Sequence, residues 1–297
     1  MISIVITAFN EPETIGRAMD AIIEQDIPEN YELIVACPDK ETKEIVLEYA
    51  EENKQIQHFH DPGKGKSFAL NLLFKQLKGN HWIFTDGDVY LGDDSIKEMV
   101  KYLKDKDYGC VCGHVKSISS RNTKLGYWSH LLAYGAHRAR KEAFKKRKFF
   151  ECSGYLFGFN KGLIKEIPLD VAEDSIIPYY ILKKGKNIAY AEHAIVFVKN
   201  PLTFEDWLKQ RKRTAGAHTK LTNYAPDFPK MKSFKNEMIK GLQWAWSYPN
   251  NLKELLWTLE LFPARLYMWA SLSYQEKIKN KMYNDGWDRV ESTKWKF

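Results

Sequence analysis

Short apolar runs alternate with amphipathic stretches through the first third of the chain. Residues 2–7 read as a strand that ends in the turn Ala8-Phe9-Asn10-Glu11-Pro12. Ile15, Ala18, Met19, Ile22 and Ile23 then recur at helical spacing. A second strand is expected over 32–36, a helix over 41–52 and a short strand over 56–60. The glycine-rich loop 61–67 opens a helix that the pattern extends through Leu77, and the apolar run 81–85 closes on Asp86-Gly87-Asp88. Strands alternating with helices predict a mostly parallel sheet with right-handed crossovers, whose ligand sits at the strands' C-terminal edge. Every loop just named falls on that edge.

Beyond residue 107 the pattern changes. Residues 108–117 and 155–159 read as strands around a basic helical segment over 125–148, and 188–190 and 194–198 as further short strands. After Pro201 the chain turns helical and rich in tryptophan. The expected division is a first half over 1–105, a second over 106–200 and a helical extension over 201–297.

With 44% hydrophobic and 28% charged residues, the 297-residue chain should bury a substantial core. The net charge of +7 points to anionic partners, and its excess lies in Arg138–Lys148 and Lys209–Arg213. No nucleic-acid motif or base-stacking module accompanies it, so nucleic acid is not expected. The chain enters a strand at once, so no signal peptide is expected. Cys37, Cys110, Cys112 and Cys152 match no zinc framework and no disulfide staple, so a reduced, cytoplasmic setting is expected.

Four groups of residues carry chemistry. Asp86 and Asp88, one residue apart at a strand end, can hold Mg²⁺ or Mn²⁺, which prefer oxygen ligands and accept substrate phosphates in their remaining positions. Asp88 is the expected ligand, and Asp86 meets a ribose or reaches the metal through water. A plain turn is the competing reading, because Asp-Gly is common there. Glu173-Asp174 supplies a second carboxylate pair, with Asp174 as general base and Glu173 orienting an acceptor; a helix cap over 175–183 is the bland alternative. Gln210 and Arg213, in Gln210-Arg211-Lys212-Arg213, can neutralise a departing diphosphate, or form an ordinary solvated helix face. Lys66, and behind it Lys64, can reach a phosphate from the glycine loop, although the spacing fails the P-loop pattern.

Asn10-Glu11, the loop 63–71, Asp86-Gly87-Asp88, Ser153-Gly154, Glu173-Asp174 and Gln210-x-x-Arg213 occur in the order seen in family 2 glycosyltransferases. Over about residues 1–215 the chain resembles that family, nearest its cellulose, chitin and hyaluronan synthase branch. The resemblance implies an α/β GT-A fold, Rossmann-like, with a mostly parallel sheet flanked by helices. It also implies a nucleotide-sugar donor, UDP-linked or GDP-linked, a divalent metal and inversion at the anomeric carbon. Ala8, Asn10 and Glu11, with Gly87, would border the nucleotide and Ser153-Gly154 the acceptor; Asp39 would bond the base or serve as a helix cap, and His218 would complete the metal shell or be structural. Two departures stand out. Ala36-Cys37-Pro38-Asp39 leaves Asp39 without the usual neighbouring aspartate, and Thr214 replaces the tryptophan that follows Gln-x-x-Arg in the polymerases.

In the tail, Leu252, Leu255, Leu259, Phe262, Leu266 and Trp269 share one helical face, interrupted by Pro263. No stretch reaches the roughly 20 uncharged apolar residues of a membrane span. Tryptophans at 207, 244, 246, 257, 269, 287 and 295 amid lysine and arginine suit a helix in an anionic headgroup layer, or one packed on the catalytic domain or a dimer partner. The leading expectation is a metal-dependent inverting glycosyltransferase acting on a lipid-linked or glycan acceptor at the inner face of the membrane. A nucleotidyltransferase and an inactive sugar-binding scaffold are the alternatives.

Overall fold

Helices cover both faces of one eight-stranded sheet, which is why its central strands are apolar on both sides. The computed structural model describes residues 1–226 and 242–277. The strands are β1 (Ile2–Thr7), β2 (Tyr31–Cys37), β3 (Ile56–His60), β4 (His81–Asp86), β5 (Val89–Leu91), β6 (Tyr108–Ser117), β7 (Leu156–Asn160) and β8 (Asn187–Val198). They lie in the order β3-β2-β1-β4-β7-β6-β8-β5. The helices over the first half are α1 (Ile15–Ile23), α2 (Lys40–Glu52), α3 (Lys66–Leu73) and α4 (Ser95–Lys104). They are followed by α5 (Lys124–Lys145), α6 (Glu173–Lys183), α7 (Phe204–Thr219) and α8 (Leu221–Tyr224). Two more, α9 (Leu242–Ala245) and α10 (Leu252–Lys277), close the described chain.

Alternation along each strand divides the core. Ile2, Ile4, Ile6, Ile83 and Val111 pack under α1, α2 and α4, while Val5, Trp82, Phe84, Cys110 and Cys112 pack under α3 and α6. On that second face Phe84 stacks on Phe157 and Phe159 at 5.2 and 5.4 Å between ring centroids. Each buried ring or branched side chain contributes about 1.5–3 kcal/mol. All four cysteines are buried free thiols.

Strand direction decides what meets at the site. β3, β2, β1 and β4 run parallel, so the loops after each open on one edge. β7 is antiparallel to both β4 and β6, which makes β6, and β8 beside it, run with β4. The start of β7, and with it Ser153-Gly154, therefore arrives at the edge where β4 ends, with Leu156 opposite Thr85. β8 ends on that edge too and feeds α7.

Several expectations are corrected in detail. The helix after the glycine loop stops at Leu73 and continues only as tight turns to Leu77. The two short strands over 188–198 are one strand with a register shift opposite Gly113/His114. Pro263 does not interrupt α10: it faces outward, where the missing N–H costs no buried partner. The expected stripe of α10 is also rotated, and its inward centre is Glu254, Thr258, Leu261, Met268 and Leu272. Leu252, Leu259 and Leu266 point outward. Polar anchors, which hydrophobic periodicity does not register, turn the helix. Arg121 Nε and Nη2 donate to the Glu254 carboxylate at 2.7 and 2.9 Å, and the Tyr127 and Thr258 hydroxyls meet at 2.6 Å. Trp287 and Trp295 lie outside the described residues.

Candidate active site

The floor is set by β1 and β4 in register, Thr7 opposite Asp86. Thr7 Oγ1 donates to Asp86 Oδ1 at 3.0 Å. Lys66, at the start of α3, places Nζ 2.6 Å from the same oxygen and 3.0 Å from Glu173 Oε1. Its ammonium also lies 3.4 Å from the Gly154 carbonyl. Burial alone would lower the Lys66 pKa, but Asp86 and Glu173 outweigh it and hold the group charged, above the lysine range. One cation thus joins the carboxylates of the strand-end cluster to those of the second pair.

Asp88 is pushed up to about 6, by burial first and the Asp86 charge second, with Arg213 and Lys66 offsetting part of the rise. Two carboxylates so close carry surplus negative charge. Among the described residues no third His, Cys, Asp or Glu joins them to make a closed metal cage. Two hard oxygen donors whose charge is incompletely neutralised fit a divalent cation that takes its other ligands from diphosphate oxygens and water. Gly87 between them is closely packed. A Cβ there would come within 2.4 Å of Glu11 Oε2 and 2.8 Å of the Ala8 Cβ, so the turn packs directly on the loop after β1.

That loop is held by Asp39, which does two jobs. Its Oδ1 caps α2 through the Thr42 N–H at 2.9 Å, and its Oδ2 accepts the Asn10 N–H at 2.7 Å. The second bond secures Asn10 at φ 55°, a left-handed conformation that asparagine tolerates better than most residues. The helix-cap reading of Asp39 is therefore realised alongside its place at the rim.

On the opposite wall, Glu173 and Asp174 form the first turn of α6 and are both buried. Ala172, not Asp174, occupies the cap position. Asp174 Oδ2 accepts the Gly154 N–H at 3.1 Å, and its carbonyl accepts the Cys152 N–H at 2.9 Å. Behind this turn the buried Arg140 of α5 donates to the carbonyls of Glu151 and Cys152 at 3.0 and 2.9 Å. Gly154 is tight as well: a Cβ would sit 3.1 Å from Glu173 Oε1.

Helix α7 closes the third side. Gln210 is buried and Arg213 exposed, yet the Arg213 charge reaches both Asp88 and Tyr155. Arg211 Nη2 donates to Gln210 Oε1 at 3.2 Å, and its charge also reaches Tyr155. Tyr155 is pushed up to about 12 by burial and then by Asp88. Lys64 is exposed, 5.3 Å above the Phe68 ring, and is not brought to Asp86. His218 falls in the last turn of α7, and its side chain lies outside the described residues. Thr7, Tyr155 and Arg140 escaped the sequence reading. The register of Thr7 and the position of Tyr155 after Gly154 were available signals, whereas nothing marks Arg140 within a basic helix.

The geometry meets its relatives in known proteins. A probable glycosyltransferase, YdaM of Bacillus subtilis, is 25% identical over 250 residues, covering 78% of this chain and 58% of that protein's length. The mannosyltransferase PcManGT of Pyrobaculum calidifontis, solved with GDP-Man and Mn²⁺, superposes with a TM-score of 0.60 at 19% identity, over 94% of this chain and 81% of that one. TarS 1-349 of S. aureus, solved with UDP-GlcNAc, gives 0.50 at 15% identity, over 95% and 92%. These likenesses show the GT-A fold. The model of the glycosyltransferase-like family 2 matches residues 1–217, and the chain belongs to that family.

Proposed function

We propose that the protein transfers one sugar from a nucleoside diphosphate sugar to a glycan or lipid-linked acceptor, with inversion and in a single displacement. The observation that carries this reading is the Lys66 bridge: Asp86 at the end of β4 and Glu173 in the first turn of α6 share one ammonium. Residues 1–105 act as the donor half, 106–200 as the acceptor half and 201–297 as the extension. Ala8, Asn10, Glu11 and Asp39 border the nucleoside, and Lys66, Gln210 and Arg213 face the diphosphate.

Asp174 takes the proton of the acceptor hydroxyl as that oxygen attacks the anomeric carbon. The bond from this carbon to the diphosphate breaks on the opposite face, and the electron pair leaves with the phosphate, whose growing charge Arg213 stabilises. The Gly154 N–H keeps the Asp174 carboxylate aimed, and Glu173 orients the acceptor. Asp88 and Asp86 would hold Mg²⁺ or Mn²⁺, which supplies charge neutralisation at the diphosphate. UDP is the favoured carrier and GDP the alternative, in keeping with the UDP-GlcNAc of TarS and the GDP-Man of PcManGT.

Thermal shift with UDP, GDP and ADP, each with and without Mn²⁺, tests the reading. A ligand at a hundredfold excess over its Kd adds about 2.7 kcal/mol of stability. A metal-dependent response to UDP alone fixes the donor; no response to any nucleoside diphosphate sinks the proposal.

A further inference from the structure

Six of the twelve large apolar side chains that the described residues leave exposed lie on one helix, α10. They are Leu252, Leu256, Leu259, Leu266, Tyr267 and Tyr274, and Pro263 and Ala270 fall in the same row. The spacing, mostly three or four residues, makes this one continuous stripe. It faces away from the protein, because the opposite side is pinned by Arg121–Glu254, by Tyr127–Thr258 and by the Trp128 Nε1 bond to the Trp257 carbonyl at 2.6 Å. Met268 and Leu272 pack inward with Ala215 of α7. The helix therefore cannot roll its stripe into the core without breaking buried polar bonds. A contiguous apolar row of this size marks a contact surface.

We infer that the outer face of α10 docks on an anionic lipid bilayer. Charge selects this occupant over a second copy of the chain. The net charge of +7 attracts acidic headgroups and repels an identical partner. One flank of the stripe carries a cation over an indole ring, Lys253 4.6 Å from the Trp257 centroid. A half-buried tryptophan under a basic group suits the headgroup layer, where the ring is amphipathic and the cation meets phosphate. The exposed acid on this side, Glu260, is already paired with Lys124 at 2.8 Å. No described helix is long and apolar enough to cross a membrane, so α10 lies in the surface. Because α10 packs on α7, which bears Gln210 and Arg213, docking sets the catalytic edge beside the bilayer. The docking stands apart from the proposed reaction; only its use, delivery of a lipid-linked acceptor, rests on that reading.

Flotation of the full-length protein with vesicles of phosphatidylcholine and phosphatidylglycerol tests it, run beside the nucleotide thermal shift. Wild type should float with the anionic vesicles, less with phosphatidylcholine alone and less at high salt. Leu256→Glu with Leu259→Glu should cut the bound fraction about tenfold, since two buried leucines are lost from the contact. Leu256→Trp should raise it, which guards against a misfolded glutamate variant. Both variants should keep the nucleotide response, so failure of docking and failure of the transfer reading are told apart. Wild type that stays unbound overturns the inference, and so does a dimer by analytical ultracentrifugation that the glutamates dissolve.

Discussion

The rim of the candidate active site and the C-terminal helical layer both bury charge, and they finish in opposite states. In the layer, Glu254 receives both Arg121 nitrogens and the Asn250 N–H, and it falls to about 2, chiefly through the arginine. That carboxylate is fully satisfied and works as a bolt between α10 and the loop before α5. At the rim, one ammonium serves two carboxylates while Asp88 is left pushed up to about 6. A structural site saturates its charges. The rim instead keeps a buried carboxylate raised beside a like charge, the kind of perturbation that functional sites concentrate.

The comparison can be broken at either end. The largest effect is expected for Asp174→Asn, which keeps shape and hydrogen bonding but removes the proposed proton acceptor. Sugar transfer should fall about 10²–10⁴-fold with unchanged thermal stability. Unaltered turnover would remove Asp174 from the chemistry. Arg121→Met should strip the bolt and leave Glu254 buried without its partner, costing about 3 kcal/mol in urea unfolding, with nucleotide binding at the rim preserved. A loss below about 0.5 kcal/mol would mean that the pair does not anchor α10.

A smaller effect sharpens the rim. Asp88 is raised from the ordinary 3.8 to about 6, so the folded metal-free protein holds more protons than the unfolded chain between those values. The contribution of this group to stability is therefore largest at low pH and declines as pH rises through that window. Cation binding runs the other way, because the ion must displace the proton. Mn²⁺ affinity by calorimetry should fall about tenfold per pH unit below 6 and level off above it. Asp88→Asn should abolish both trends. The smallest change is expected for Arg140→Lys, which retains a cation but loses the planar fork that donates from two nitrogens to the Glu151 and Cys152 carbonyls. A several-fold loss in kcat with KM nearly unchanged fits an arginine that acts through the Cys152–Gly154 turn, and an equal loss in Arg140→Met would reduce it to packing.

Legibility divides along the same line. The first four strands were readable to within a residue or two, because strand and helix periods alternate cleanly between glycine and proline turns. Residues at the ends of those strands, Asp39, Asp86 and Asp88, could be placed on one edge from topology alone. Their partners could not. The Lys66 bridge joins α3 to α6 across more than a hundred residues of sequence, and Arg140 reaches back from within α5 to the loop that follows that helix, eleven residues on. Which side of α10 faces inward was not legible for a related reason: Glu254 and Thr258 are polar letters in an apolar helix, yet they point inward because Arg121 and Tyr127 wait there.

Local chemistry, carried by the order of residues, determined the elements, the parallel first half and the inventory of carboxylates and cations. Tertiary structure decided which charges face one another, since an antiparallel β7 starts where β4 presents Asp86 and so sets Gly154 there, with the Asp174 carboxylate bonded to its N–H. Periodicity is a property of neighbours along the chain, whereas neutralisation of a buried charge depends on distance through space.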